Sequence, residues 1–141
     1  MKVNVSFHKV NSVNESDLKY AVIVSRYKDK WVFVKHKKRL TWEVPGGTRE
    51  LNENILNTAK RELYEETGAT KYDLKEVCEY CVSIDNKSTY GRLFYVEIFE
   101  LGNLPDLEIE EVALFADIPN NLTYKDIQPK LFDYIKNSFI N

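Results

Sequence analysis

The sequence predicts an α/β (α+β) fold, and three observations lead there. Apolar residues alternate early (Val3, Val5, Phe7) and then run unbroken through Tyr20-Ala21-Val22-Ile23-Val24, which suits an edge strand and then a strand buried on both faces. Leu56, Ala59 and Leu63 recur at helical spacing ahead of Gly68. Leu131, Phe132, Ile135 and Phe139 do the same behind Pro129, giving a second, closing helix. With 141 residues the chain can fill one core but not two, so residues 1–141 read as a single domain.

Each element has a local reason. The edge strand at Val3–Phe7 ends in a polar turn around Asn11 to Ser16. Leu18 to Tyr27 is the central strand, Lys28-Asp29-Lys30 turns the chain, and Trp31 to Lys35 returns as a hairpin partner. Lys35, Lys37, Lys38 and Arg39 follow as a basic segment, either a solvated loop or a clamp on polyphosphate oxygens. Pro45-Gly46-Gly47 reads as a turn, with Val44 extended because it precedes proline. Asn52 is placed to cap the next helix, Glu53 suits its positively polarised first turn, and Gly68 closes it after about four turns. Tyr72 to Ile84 and Tyr90 to Glu100 form strands around a loop at Asp85 to Ser88. Gly102 to Asp106 breaks the pattern, Val112 to Phe115 is a short strand, and Pro119 to Asn121 turns into the closing helix, Pro129 to Phe139.

The acids of the first helix stand out. Glu62, Glu65 and Glu66 share one face within about 100° of arc. They crowd the C-terminal half, where the helix dipole already disfavours negative charge. Each like-charge pair at this spacing costs roughly 0.2–0.5 kcal/mol in an isolated helix, which Lys60 and Arg61 only partly offset. A solvated acidic face is one explanation. The other is a hard divalent cation such as Mg²⁺, which takes a few carboxylates and keeps waters for phosphate oxygens to replace.

The spacing favours the second. Gly47, five residues, Glu53, seven residues, then Arg61-Glu62-Leu63-Tyr64-Glu65-Glu66-Thr67-Gly68-Ala69 resembles the Nudix hydrolase signature position for position, a box at 47–69. Trp42-Glu43-Val44-Pro45-Gly46 and Glu50 resemble the family's approach to it. Asn52, where glycine is common, and Ala69, a small closing residue, depart from the pattern without touching the acids. The resemblance implies a mixed β-sheet sandwiched between the box helix and the last helix. It implies that Glu62, Glu65 and Glu66 hold Mg²⁺ (Mn²⁺ is possible), with a carbonyl from Gly46 or Gly47, and that Arg61 pairs with Glu53. The general base would be a box glutamate or a later acid, Glu108, Glu110 or Glu111, with Glu111 or Glu108 preferred.

The implied reaction is hydrolysis of a nucleoside diphosphate linked to some group X. Minimal length is similar to the MutT-like branch, which splits a nucleoside triphosphate into monophosphate and pyrophosphate. ADP-ribose, a dinucleoside polyphosphate, an RNA 5′ end, or a non-catalytic nucleotide-sensing role are the alternatives. That branch reads its base with an Asn before the last helix; here Asp126-Ile127-Gln128 stands there, and Asp126 or Gln128 could bond a base edge. Lys35 and Arg39 are candidate phosphate contacts, and Tyr124, Tyr90 and Phe94 candidate stacking partners.

Composition narrows the rest. A net charge of −2 argues against general nucleic-acid binding. No apolar run approaches the roughly 18 residues of a membrane span, and the first residues lack a signal peptide's apolar region, so a cytoplasmic monomer or homodimer is expected. Cys78 and Cys81 spell C-x-x-C within a strand, where positions three apart face opposite sides, so neither zinc nor redox chemistry is expected. His8 and His36 read as isolated residues without a catalytic partner.

Overall fold

The computed structural model describes residues 2–140, leaving the first and last residues of the expected domain outside it. Seven strands form one mixed sheet: β1 (Val3–His8), β2 (Leu18–Tyr27), β3 (Lys30–His36), β4 (Gly46–Thr48), β5 (Ala69–Ile84), β6 (Lys87–Leu101) and β7 (Ile109–Phe115). The order across the sheet is β1-β5-β6-β2-β3-β7, with β4 on β2. β2 and β6 are parallel, and the other ladders are antiparallel. Helix α1 (Ile55–Thr67) covers one face and α2 (Gln128–Phe139) the other, the sandwich that the resemblance implied.

Strand parity explains the continuous apolar runs. Ile23, Val32, Phe94 and Val96 turn toward α1 and pack on Ile55, Ala59 and Leu63. Their neighbours Val24, Trp31, Phe33 and Leu93 turn the other way, onto Leu131, Phe132 and Ile135. Central strands buried on both faces carry no polar alternation. The β2–β3 hairpin closes through Lys28 and Asp29, both at positive φ, as a two-residue turn. Asp85 and Asn86 make the same kind of turn, so β6 begins at Lys87 rather than after a four-residue loop.

Three other expectations are corrected. Gly46-Gly47 is not a turn but a strand, paired with Val22 and Ala21. A Cβ at Gly46 would stand 2.3 Å from the Ala21 carbonyl oxygen, so only glycine lets the chain lie there. The cap of α1 is Asn54, whose side chain accepts the Asn57 N–H, while Asn52 holds a left-handed turn with φ 65°. Glu53 therefore precedes the helix instead of entering its first turn. Finally, β7 starts at Ile109, so Glu110 and Glu111 lie within a strand and not in the loop before it.

The arrangement leaves a fork. β2 pairs with β3 only at Arg26 and Tyr27, and lower down it pairs with β4 through Tyr20 to Val22. β3 meanwhile bridges Glu43 through Val34. The segment Glu43–Thr48 thus wedges the two strands apart. The long loop after β1 is fixed separately, by a buried ion pair: Arg92 donates to both Glu79 oxygens at 2.7 Å, and Glu79 also accepts the Asn11 N–H at 3.2 Å. Replacing Glu79 by Leu leaves the buried Arg92 guanidinium with only the partly exposed Glu76 and should cost up to about 3–5 kcal/mol. Urea denaturation should show that loss, and adding Arg92→Met to the same chain should recover most of it.

Candidate active site

The last turns of α1 are held to the sheet by β4. Glu66 is buried, and its Oε1 accepts the Gly46 N–H at 3.0 Å. Glu62 lies flat on Gly47, where a Cβ would come within 2.3–2.7 Å of its carboxylate atoms. The ladder also sorts the two glycines. Bonds from Ile23 N–H to Pro45 and from Arg49 N–H to Lys19 bracket Gly47, so two-residue alternation turns its backbone groups toward β2. Gly46 faces the other way, with its N–H on Glu66 and its carbonyl on that same edge.

Burial pushes the Glu66 carboxyl up to about 8, helped by neighbouring Glu62, Glu43 and Glu108 and opposed by the Gly46 N–H. Burial also raises Glu62, against the pull of Arg61. Glu53 goes the other way, held at about 2 chiefly by its hydrogen bonds from Arg61. Those bonds are bidentate, Nε to Oε2 at 2.8 Å and Nη2 to Oε1 at 3.0 Å. Arg61 also reaches Glu62, Glu65 at 3.2 Å, Glu50 at 3.0 Å and the Thr48 carbonyl. It straps the loop before α1 onto the helix that bears the acids.

A second group converges from the fork. His36, the last residue of β3, places Nε2 3.4 Å from Glu43 Oε1 and 3.8 Å from Glu66 Oε2, with Nδ1 4.0 Å from Glu108. Arg39 pairs with the other Glu43 oxygen and sits 5.9 Å above the Tyr124 ring. These groups line a cavity of about 760 Å³. One half is carboxylate: Glu43, Glu50, Glu62, Glu65, Glu66 and Glu108 against the cations Arg39 and Arg61. The other half is apolar, walled by Val22, Val44, Tyr80, Val82 and Leu131, with Gln128 and Tyr124 at its end.

Not every expected residue arrives there. Glu62, Glu65, Glu66, Gly46, Gly47, Arg61, Arg39, Tyr124 and Glu108 line the cavity, and Glu53 stands behind Arg61. Lys35 does not: it shares the Phe33 face, lies 5.6 Å over the Trp42 ring and pairs with Glu111 at 3.3 Å. That pairing turns Glu111 away from the box acids, onto the opposite side of the sheet. Asp126 is exposed outside the cavity, and Glu110 is exposed on β7. Phe94 is wholly buried and Tyr90 packs against the α1-side core, so neither is presented for stacking. His36 and Glu43 were not expected. The one signal for His36 was its parity with Val32 and Val34 on β3. Cys78 and Cys81 are free thiols, and burial pushes Cys78 up to about 11, an inert state.

A helix of paired acids laid on a glycine strand, at the fork of a mixed sheet between two helices, is the mark of one family. The NUDIX domain model matches residues 16–115, and the chain belongs to the Nudix hydrolase family. Among curated proteins it is similar to Bacillus subtilis (strain 168) YtkD, named provisionally as an 8-oxo-dGTP diphosphatase, with 32% identity over 106 residues. That match covers 74% of this chain and 66% of YtkD, just under two thirds of the relative. Among solved structures it is similar to a mutant of the Bacillus subtilis pyrophosphohydrolase BsRppH, with TM-score 0.79 and 26% identity, over 98% of this chain and 92% of that one. An ADP-ribose pyrophosphatase from Streptococcus suis shares the fold alone, with TM-score 0.64 and 13% identity over 86% of this chain and 91% of that one. No helix among the described residues is long and apolar enough to cross a membrane.

Two outcomes follow from this geometry. Glu66 binds a proton in the folded chain that it loses on unfolding between its ordinary pKa and about 8. Folded stability without divalent ions should therefore fall as pH rises from about 4.5 to 8. Thermal denaturation across that range should show the fall, and excess Mn²⁺ should flatten it. Gly47→Ala should keep the melting temperature within a few degrees yet weaken divalent-ion binding by about tenfold or more, because the flexible Glu62 carboxylate is what moves aside. Calorimetric titration with Mn²⁺ would measure it.

Proposed function

We propose that the protein hydrolyses a nucleoside triphosphate to the monophosphate and pyrophosphate, using Mg²⁺ or Mn²⁺. The observation that carries this reading is the divided cavity: carboxylates over the glycine strand at one end, an apolar slot at the other. Six acids against two cations would repel a polyphosphate, so the same cavity needs bridging divalent cations before such a substrate can enter. The donor set fits them. Glu62 and Glu66 offer oxygen ligands, the Gly46 carbonyl lies on the same edge, and Glu65 completes the set from the open side. When bound, the ion neutralises phosphate charge and makes a coordinated water more acidic.

The chain's own residues do the rest. Arg61, locked by Glu53, keeps the helix face from drifting as charge changes on it. Glu65 is the box acid most open to solvent, and only one of its oxygens meets Arg61, which leaves the other to take a proton from the attacking water. Arg39, beside Tyr124 at the rim, is the cation placed to meet phosphate oxygens.

The base end has a polarity. Gln128 is buried, and its Oε1 accepts the Val44 N–H at 2.8 Å, which fixes the amide with Nε2 as the remaining donor. A donor there suits a base edge that offers carbonyl or ring-nitrogen acceptors, such as guanine, and disfavours an amino group. The name given to YtkD supports this direction. Lys35, by contrast, lies over Trp42 and pairs with Glu111 outside the cavity, which favours a free nucleotide over a longer nucleic acid.

A panel of nucleoside triphosphates and capped diphosphates with Mg²⁺, scored for monophosphate, pyrophosphate and phosphate, tests the class. Glu65→Gln should lower kcat by about 10²–10⁴ and weaken divalent-ion binding with it, because it removes a ligand charge and the proton acceptor together. Gln128→Glu keeps the acceptor for Val44 and reverses the other contact, so the ratio of kcat/KM for GTP over ATP should drop about tenfold or more. An unchanged ratio would remove Gln128 from base selection.

A further inference from the structure

The Nudix signature names only oxygen ligands, yet a nitrogen stands among them. His36, Glu66 and Glu108 each offer one ligand atom, and the three lie within 4.8 Å of one another. They come from the end of β3, from α1 and from the approach to β7, brought together by an irregular step in the β3–β7 ladder between Lys35 and His36. The separations of 3.8 Å to Glu66 and 4.0 Å to Glu108 are too long for hydrogen bonds. Those distances run from different ring nitrogens, Nε2 to Glu66 and Nδ1 to Glu108. With one atom from each residue inside 4.8 Å, small rotations of the ring and of the exposed Glu108 side chain bring all three to the roughly 3–4 Å spacing that a divalent first-row ion, at about 2.0–2.2 Å from each, sets between its ligands. Glu66 adds an independent sign. Its side chain is only 7% exposed; Oε1 takes the Gly46 N–H, while no hydrogen bond from the described residues reaches Oε2, the oxygen facing His36.

We propose that His36, Glu66 and Glu108 form a nitrogen-containing site for a divalent transition-metal ion, of the Mn²⁺, Co²⁺ or Zn²⁺ kind. Imidazole suits Zn²⁺ and its first-row neighbours, and Mn²⁺ accepts one beside carboxylates, whereas Mg²⁺ is best served by oxygen alone. One ring nitrogen binds the ion and the other turns to a carboxylate, the usual support for a metal-bound histidine. Glu43, 3.4 Å from Nε2 and itself held by Arg39, gives that support when Nδ1, the nitrogen on the Glu108 side, holds the ion. The inference goes beyond the proposed hydrolysis: it concerns which ion the chain prefers, and it shares only Glu66 with the oxygen site.

The chain contains two histidines, so a nitrogen signal can be assigned. His8 lies on β1, bonded to Ser6, and serves as the control. Mn²⁺ is added to the full-length protein without nucleotide, and pulsed electron paramagnetic resonance reads the bound ion. The expected result is an imidazole ¹⁴N modulation in the natural chain and in His8→Gln, lost in His36→Gln. Mn²⁺ affinity should fall about tenfold or more in that variant, with Mg²⁺ affinity unchanged. Bound Mn²⁺ without ¹⁴N modulation, or no bound Mn²⁺ at all, overturns the proposal, and the natural chain alone decides this if His36→Gln does not fold. Failure of the nucleotide panel would leave this spectrum unaffected, so the two readings stand or fall separately.

Discussion

The contact between Gly46 and Glu66 is the constraint on which the site depends. A helix packs against a sheet at a distance set by side chains, but here two glycines in β4 remove them. The helix can then press its carboxylates onto backbone, and a single N–H holds a buried acid in place. A side chain at Gly46 would collide with the β2 backbone, and one at Gly47 would push Glu62 out of the row of acids. The short strand also forces β2 and β3 to part, and the cavity is the space that this parting leaves.

Electrostatics run against stability at this spot and in its favour nearby. Glu66 and Glu62 are held where burial and each other's charge disfavour ionisation. A few residues earlier, Glu53 gains from Arg61 what those two lose. The helix therefore carries a strained end and a braced beginning, as expected where binding, not folding, has selected the charges. The brace is an arginine for a geometric reason: a planar fork can serve Glu53 with two bonds and still reach Glu62 and Glu65.

Much of this was legible in the sequence where the signal is local. The α1 stripe, the acids three and four residues apart, the left-handed Gly68 and both hairpins depend on neighbours in the chain. Pro45-Gly46-Gly47 was misleading, because glycines usually mark turns and only β2, far away in sequence, reveals this run as a strand. The helix cap moved from Asn52 to Asn54 since two similar residues stood two apart, and the chain's bend chose between them. Which of Glu108 and Glu111 lines the cavity depends on strand parity, which the register of Glu111 with Lys35 reveals and the sequence does not. His36 looked isolated because its partners Glu43, Glu66 and Glu108 meet only through three separate tertiary contacts.

The parallel β2–β6 ladder sets Ala21 opposite Arg92, half the chain away. The β5–β6 hairpin, formed from adjacent segments, is the longest ladder in the sheet, while the β2–β3 hairpin joins only two residue pairs. The cavity draws on His36 and on Gln128 alike, so no early fragment of a growing chain can hold it. Such a topology favours slow closure, with an extended hairpin waiting for its neighbours. Catalytic competence would then switch on abruptly, when α2 seals the far face, and a ribosome-bound or truncated chain would be a sticky β-ribbon instead of a weak enzyme.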